Sequence, residues 1–74
     1  MKFLRYNERA INLAHVIDIC VSANYLVLTT IDGREEKFVY GAESKLLALM
    51  ESVLAFSADD SAHVLDCAET LAGL

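Results

Sequence analysis

An α+β fold follows from two patterns along the chain. Between Val16 and Tyr40, apolar and polar residues alternate with a period of two around the turn signals Ala23-Asn24 and Asp32-Gly33. From Glu43 onward, apolar residues recur every three or four positions. The first pattern predicts an antiparallel β-meander and the second predicts helix. The expected architecture is one sheet of four to five strands over about residues 2–40. Two C-terminal helices, about 43–56 and 61–72, pack on one sheet face in a single domain of 74 residues.

In order, Lys2 to Tyr6 is short, aromatic and apolar enough for an edge strand, Asn7-Glu8 makes a turn, and Arg9 to Leu13 returns. These add one or two strands to the meander, with Arg5 and Arg9 keeping an edge solvated. Ala14-His15 breaks the run. Val16 to Ser22 then sets Ile17, Ile19 and Val21 on one side of a strand and Asp18, Cys20 and Ser22 on the other. A two-residue turn at Ala23-Asn24 pairs Val21 with Leu26, Ile19 with Leu28 and Ile17 with Thr30, which aligns the apolar sets.

At the second turn, a two-residue Asp32-Gly33 loop would set Lys37 beside Leu28 and send Phe38 and Tyr40 to the opposite face. A three-residue loop, Ile31-Asp32-Gly33 with Gly33 left-handed, instead sets Thr30 opposite Arg34 and Leu26 opposite Phe38. The expected core face is then Ile17, Ile19, Val21, Leu26, Leu28, Phe38 and Tyr40. The other face carries Asp18, Cys20, Ser22, Tyr25, Val27, Thr29, Lys37 and Val39.

Gly41 ends the last strand. Leu46, Leu47, Leu49, Met50, Val53, Leu54 and Phe56 follow with helical spacing among strong helix formers. Leu47 and Leu54 lie well around the helix from Leu49 and Phe56, so the apolar surface is wider than one small sheet covers. Part of it is expected to meet a second helix or a second subunit. Ser57-Ala58-Asp59-Asp60 reads as a break with Asp59 or Asp60 as N-cap of a helix from Ser61 to Ala72, stopped by Gly73. Val64, Leu65, Ala68 and Leu71 would face inward. One continuous bent helix fits the same pattern.

A chain this short buries only about 60% of the surface it exposes when unfolded, which favours association, and a homodimer is expected. Lys2, Arg5, Arg9, Arg34 and Lys37 balance Glu8, Asp18, Asp32, Glu35 and Glu36. Beyond Gly41 only Lys45 opposes six carboxylates, so the whole net charge of −5 lies there. Nucleic acid is therefore disfavoured as a partner, because counterion release needs clustered basic residues. The charged N-terminal stretch does not read as a signal peptide, and no window approaches the ~18 apolar residues of a membrane span. A cytoplasmic location is expected, with Cys20 and Cys67 as reduced thiols.

The strongest hint of chemistry is His63, Asp66 and Cys67. On a helix they would lie near one face within reach of a shared metal ion, with His15 and Cys20 completing a set of two His and two Cys. The spacing matches no zinc finger or ribbon, however, and a Cys-His nucleophile would need a cleft and an oxyanion arrangement that nothing here indicates. No cofactor, metal or catalytic activity is expected. A protein-interaction or regulatory module accounts better for the residues, and the metal- or thiol-dependent site is the alternative. The expected contact surface is the second sheet face, with Tyr25, Val27, Val39 and Cys20 forming an apolar patch bordered by Asp18, Thr29 and Lys37.

Over about residues 10–40, Ile11-Asn12-Leu13, Val16 and Ile19, then a hairpin and Asp32-Gly33-Arg34-Glu35, resemble a pattern in several small bacterial proteins of uncharacterised function. The stretch also looks somewhat like the sheet of LytTR-type DNA-binding domains. This chain departs from that family in being shorter and acidic with scattered basic residues, so the resemblance implies a sheet and carries over no functional residue.

Overall fold

The computed structural model describes residues 1–74 and is α+β, with six strands in two three-stranded sheets and two C-terminal helices. Strands β1 (Phe3–Tyr6) and β2 (Arg9–Asn12) form a hairpin, and a 3₁₀ turn (Leu13–His15) leads into the meander. The meander comprises β3 (Val16–Ser22), β4 (Tyr25–Thr30) and β5 (Glu35–Tyr40). Helix α1 (Glu43–Ala58), strand β6 (Val64–Asp66) and helix α2 (Cys67–Ala72) complete the chain. The meander has order β3-β4-β5 and the second sheet has order β2-β1-β6, with β6 parallel to β1.

The first hairpin of the meander forms in the expected register, with Val21 opposite Leu26 and Ile19 opposite Leu28. Ala23 (φ 51°) and Asn24 (φ 64°) both take positive φ, the type I′ geometry that matches strand twist. At the second turn Gly33 is left-handed at φ 83°, and Thr30 N–H donates to Arg34 O at 2.9 Å, as the three-residue loop requires. Two bulges then alter the faces. One lies between Val16 and Asp18, so that Val16 rather than Ile17 pairs with Thr30 and Ile17 is left 65% exposed. The other lies opposite Leu26 and Val27, so that Leu26 pairs with Val39 and not Phe38. Phe38 and Val39 both enter the core, and Tyr40 turns out beside Tyr25. A bulge sets two residues against one, which let this strand bury two consecutive large side chains.

The expected single sheet is corrected by the N-terminal hairpin, which pairs with β6 instead of extending the meander. The expected helix from Ser61 is corrected too, and so is the single bent helix. α1 ends at Ala58, and Val64-Leu65-Asp66 forms a strand on the open side of β1. A parallel ladder there satisfies backbone groups that would otherwise stay unpaired, and the β-branched Val64 suits it. The N-cap of the last helix is consequently Asp66, whose Oδ1 accepts from Glu69 N–H at 3.1 Å. Asp59 instead closes a turn by accepting from Ser61 N–H and Oγ–H. The Ser61 bonds are the main reason its carboxyl is held below the usual range.

One cluster of ten buried residues joins both sheets and both helices. Leu4 comes from β1, Leu26 and Leu28 from β4, Phe38 and Val39 from β5, Leu46, Leu49, Val53 and Phe56 from α1, and Cys67 from α2. Each fully buried Leu contributes roughly 1.5–3 kcal/mol by leaving water. Lys2 fastens the far side of this core. Its ammonium donates to Phe56 O at 3.0 Å, Ala62 O at 2.8 Å and Asp59 O, and sits 4.6 Å from the Phe56 ring centre. A cation is favoured at this position because the last carbonyls of α1 lack intrahelical partners.

Candidate interaction surface

The outer face of the meander is smaller than the sequence suggests. Val39 is fully buried in the core, so the expected patch of Tyr25, Val27, Val39 and Cys20 loses that member. Tyr40 takes its place, meeting Tyr25 edge to face at 5.2 Å, while Lys37 Nζ lies 5.4 Å from the Tyr25 ring centre. Val27, between Cys20 and Lys37 in the ladders, is only 7% exposed. The side chains of this face thus already cover one another.

A groove between β3 and α1 has the opposite character. It measures about 530 Å³ and is lined from the strand side by Leu13, Val16, Ile17, Asp18 and Ile19 and from the helix side by Met50, Leu54 and Ser57. Asp18 is its only charge. Two of its lining side chains, Ile17 (65% exposed) and Leu54 (50%), are among the large apolar groups the fold leaves in water, and Leu47 (44%), outside the lining, precedes Met50 by three residues on α1. The groove exists because α1 rests on β3 and β4, while β3 has no strand on its other side. Burial records this asymmetry: Leu26 and Leu28 on the central strand are 0% exposed, whereas their partners Val21 and Ile19 on β3 are only half-buried. The over-wide apolar surface of α1 was legible as a helical pattern. The open strand beneath it was not, because it results from where the N-terminal hairpin pairs.

The candidate ligands of the alternative metal- or thiol-dependent site are not brought together. His63 and Asp66 flank and end a strand instead of sharing a helix face, and His63 is exposed while Cys67 is 0% exposed within the core. No three His, Cys, Asp or Glu side chains converge anywhere in the chain. Burial, with Asp66 beside it, pushes the Cys67 thiol up to about 11, so it is a poor nucleophile and metal ligand at neutral pH. Cys20 is exposed and unpaired. His15 lies in a separate polar depression of about 370 Å³, where Arg34 stands 3.9 Å from both Asp32 and Glu36. There Asp32 is held below the usual carboxylate range, chiefly by the Thr30 hydroxyl donating to it.

No helix is long and apolar enough to cross a membrane. Compared with family models, curated proteins and solved structures, the chain shows no significant match. The resemblance drawn from its sequence therefore rests on its own residues alone.

Proposed function

We propose that the protein is a small, non-enzymatic interaction or regulatory module of the cytoplasm that works as a homodimer. The observation that carries this reading is the groove between β3 and α1, where Ile17 and Leu54 stand exposed in a nearly uncharged lining and Leu47 is exposed on the same helix. Contiguous apolar surface of this kind marks contact sites, since leaving it in water forgoes roughly 25 cal/mol per Å². Only 11 of 74 residues are buried, so association would also supply core that the lone chain lacks. Two thiols without a disulfide suit a reducing compartment.

Sedimentation equilibrium from low to several hundred micromolar tests the reading. The native chain should give a dimer, and Leu54→Lys should shift the equilibrium toward monomer at least tenfold while leaving the circular dichroism unchanged. A chain that stays monomeric throughout would refute self-association.

A further inference from the structure

The geometry points to a specific partner for this groove, a second copy of the chain joined edge to edge through β3. The inference rests on the self-association proposed above and adds its interface.

The hydrogen-bond parity of the meander shows what the β3 edge offers. Thr30 N–H donates to Arg34 O and Gly41 N–H donates to Asn24 O, so even-numbered residues of β4 bond toward β5. In an antiparallel sheet, the odd-numbered ones then bond toward β3. Their partners Asp18, Cys20 and Ser22 spend their backbone groups on β4. The N–H and C=O groups of Ile19 and Val21 therefore turn to the open side, a template for another strand.

A second copy fits that template with a register the residues select. Ladder pairing between the bulge at Ile17 and the turn at Ala23 is regular from Asp18 to Ser22, and its midpoint is Cys20. A two-fold axis there sets Ile19 against Val21 of the other copy on the helix side. On the outer side Asp18 meets Ser22, and Cys20 meets its own equivalent. Shifting the axis to Asp18 would oppose two carboxylates and run the pairing into the bulge.

Helix α1 decides for a copy over a foreign strand. Leu47, Met50 and Leu54 are spaced i, i+3 and i+7, an apolar seam of the kind that packs against another helix. Met50 and Leu54 line the groove from the helix side, facing Val16, Ile17 and Ile19 of β3. With α1 lying across β3 and β4, joining two β3 strands about 4.8 Å apart sets the helix axes roughly 10 Å apart, the spacing of packed helices. A lone foreign strand would pair with the edge and leave most of the seam in water. A second copy covers both, making a six-stranded sheet with two helices on one face.

Cys20 reports directly on this arrangement. Two residues facing each other in a non-hydrogen-bonded antiparallel pair lie about 4.5 Å apart at Cα, within disulfide reach. Diamide, which takes up two electrons and two protons as two thiols become one disulfide, should convert the native chain into a Cys20-linked dimer. Cys67, being buried, should stay reduced. Cys20→Ser should abolish the link and leave the dimer intact in sedimentation. Cys20→Lys, at an exposed position, should weaken association at least tenfold by opposing two ammonium groups. Because each copy carries −5, association should tighten as salt screens the repulsion.

A dimer that forms but yields no Cys20 link would overturn the edge pairing and leave self-association standing, whereas a monomer at all concentrations would sink both. Protection of the Ile19 and Val21 amides from exchange only when an extended peptide is added to a monomeric chain would assign the edge to a foreign strand and also overturn the proposal.

Discussion

The two edges of the meander are built on opposite plans. β5 carries Glu35, Glu36 and Lys37 in succession, bends at a bulge in its middle, and has Arg9 of β2 bonded to Glu36 at 2.9 Å. These devices discourage another strand from pairing there. β3 carries one charge, Asp18, and its bulge lies at its start, leaving the rest straight. One edge is closed to further pairing while the other is left open beneath a helix with an uncovered seam. That difference reads as direction: growth of the sheet is permitted on one side only, which the proposed two-fold dimer would use up.

The largest expected perturbation removes what both edges hang on. Leu26→Ala, on the central strand at 0% exposure, should cost about 2–5 kcal/mol in urea unfolding. A domain of this length holds only about 4–11 kcal/mol in total, so association and fold should be lost together. Next in size is a pH effect away from both edges. The Cys67 thiol titrates near 9.0 when unfolded and near 11 when folded, so the unfolded chain releases its proton first. Its contribution is complete below pH 9 and is lost as pH rises toward 11. The urea midpoint should therefore fall over that window in the native chain and fall less in Cys67→Ala.

The turns separate the two hairpins with opposite signs. Gly33→Ala, at φ 83°, should destabilise the β4–β5 hairpin by about 1–2 kcal/mol, whereas Ala23→Gly, at φ 51°, should stabilise the β3–β4 hairpin by up to about 1 kcal/mol. Thermal melts of the two variants should move in opposite directions. Smallest is Arg9→Ala, since its exposed pair with Glu36 is worth about 0.2–1 kcal/mol. Its use is as a control: it should leave dimerisation through β3 unchanged, and a change in sedimentation would show that β5 takes part.

The meander and α1 were legible because each is local. Alternation, an Asn-bearing two-residue turn, a left-handed Gly33 and helical spacing all act within a few residues of one another. The bulges at Ile17 and Phe38 left no such mark, because neither is signalled by glycine or proline, and the one at Phe38 is set by what its strand must bury. Without them Val39 reads as an outer-face residue and Tyr40 as core, the reverse of what the structure shows. β6 was hidden for a different reason. Its residues fit a helix as well as a strand, and the choice was made by β1, which lies almost the whole chain away. The same distance concealed Lys2, whose role depends on carbonyls that only the folded end of α1 presents. Of the site, the exposed leucines were readable and the open edge was not.

The parallel pairing of Phe3 with Val64 has a kinetic meaning. Bringing such remote segments together carries a loop-closure penalty that the neighbouring hairpins do not face, so the meander should form early and the small sheet should shut last. Cys67 follows directly after β6, so its thiol remains open to reagents until that final step. The rate at which it becomes protected would clock the end of folding.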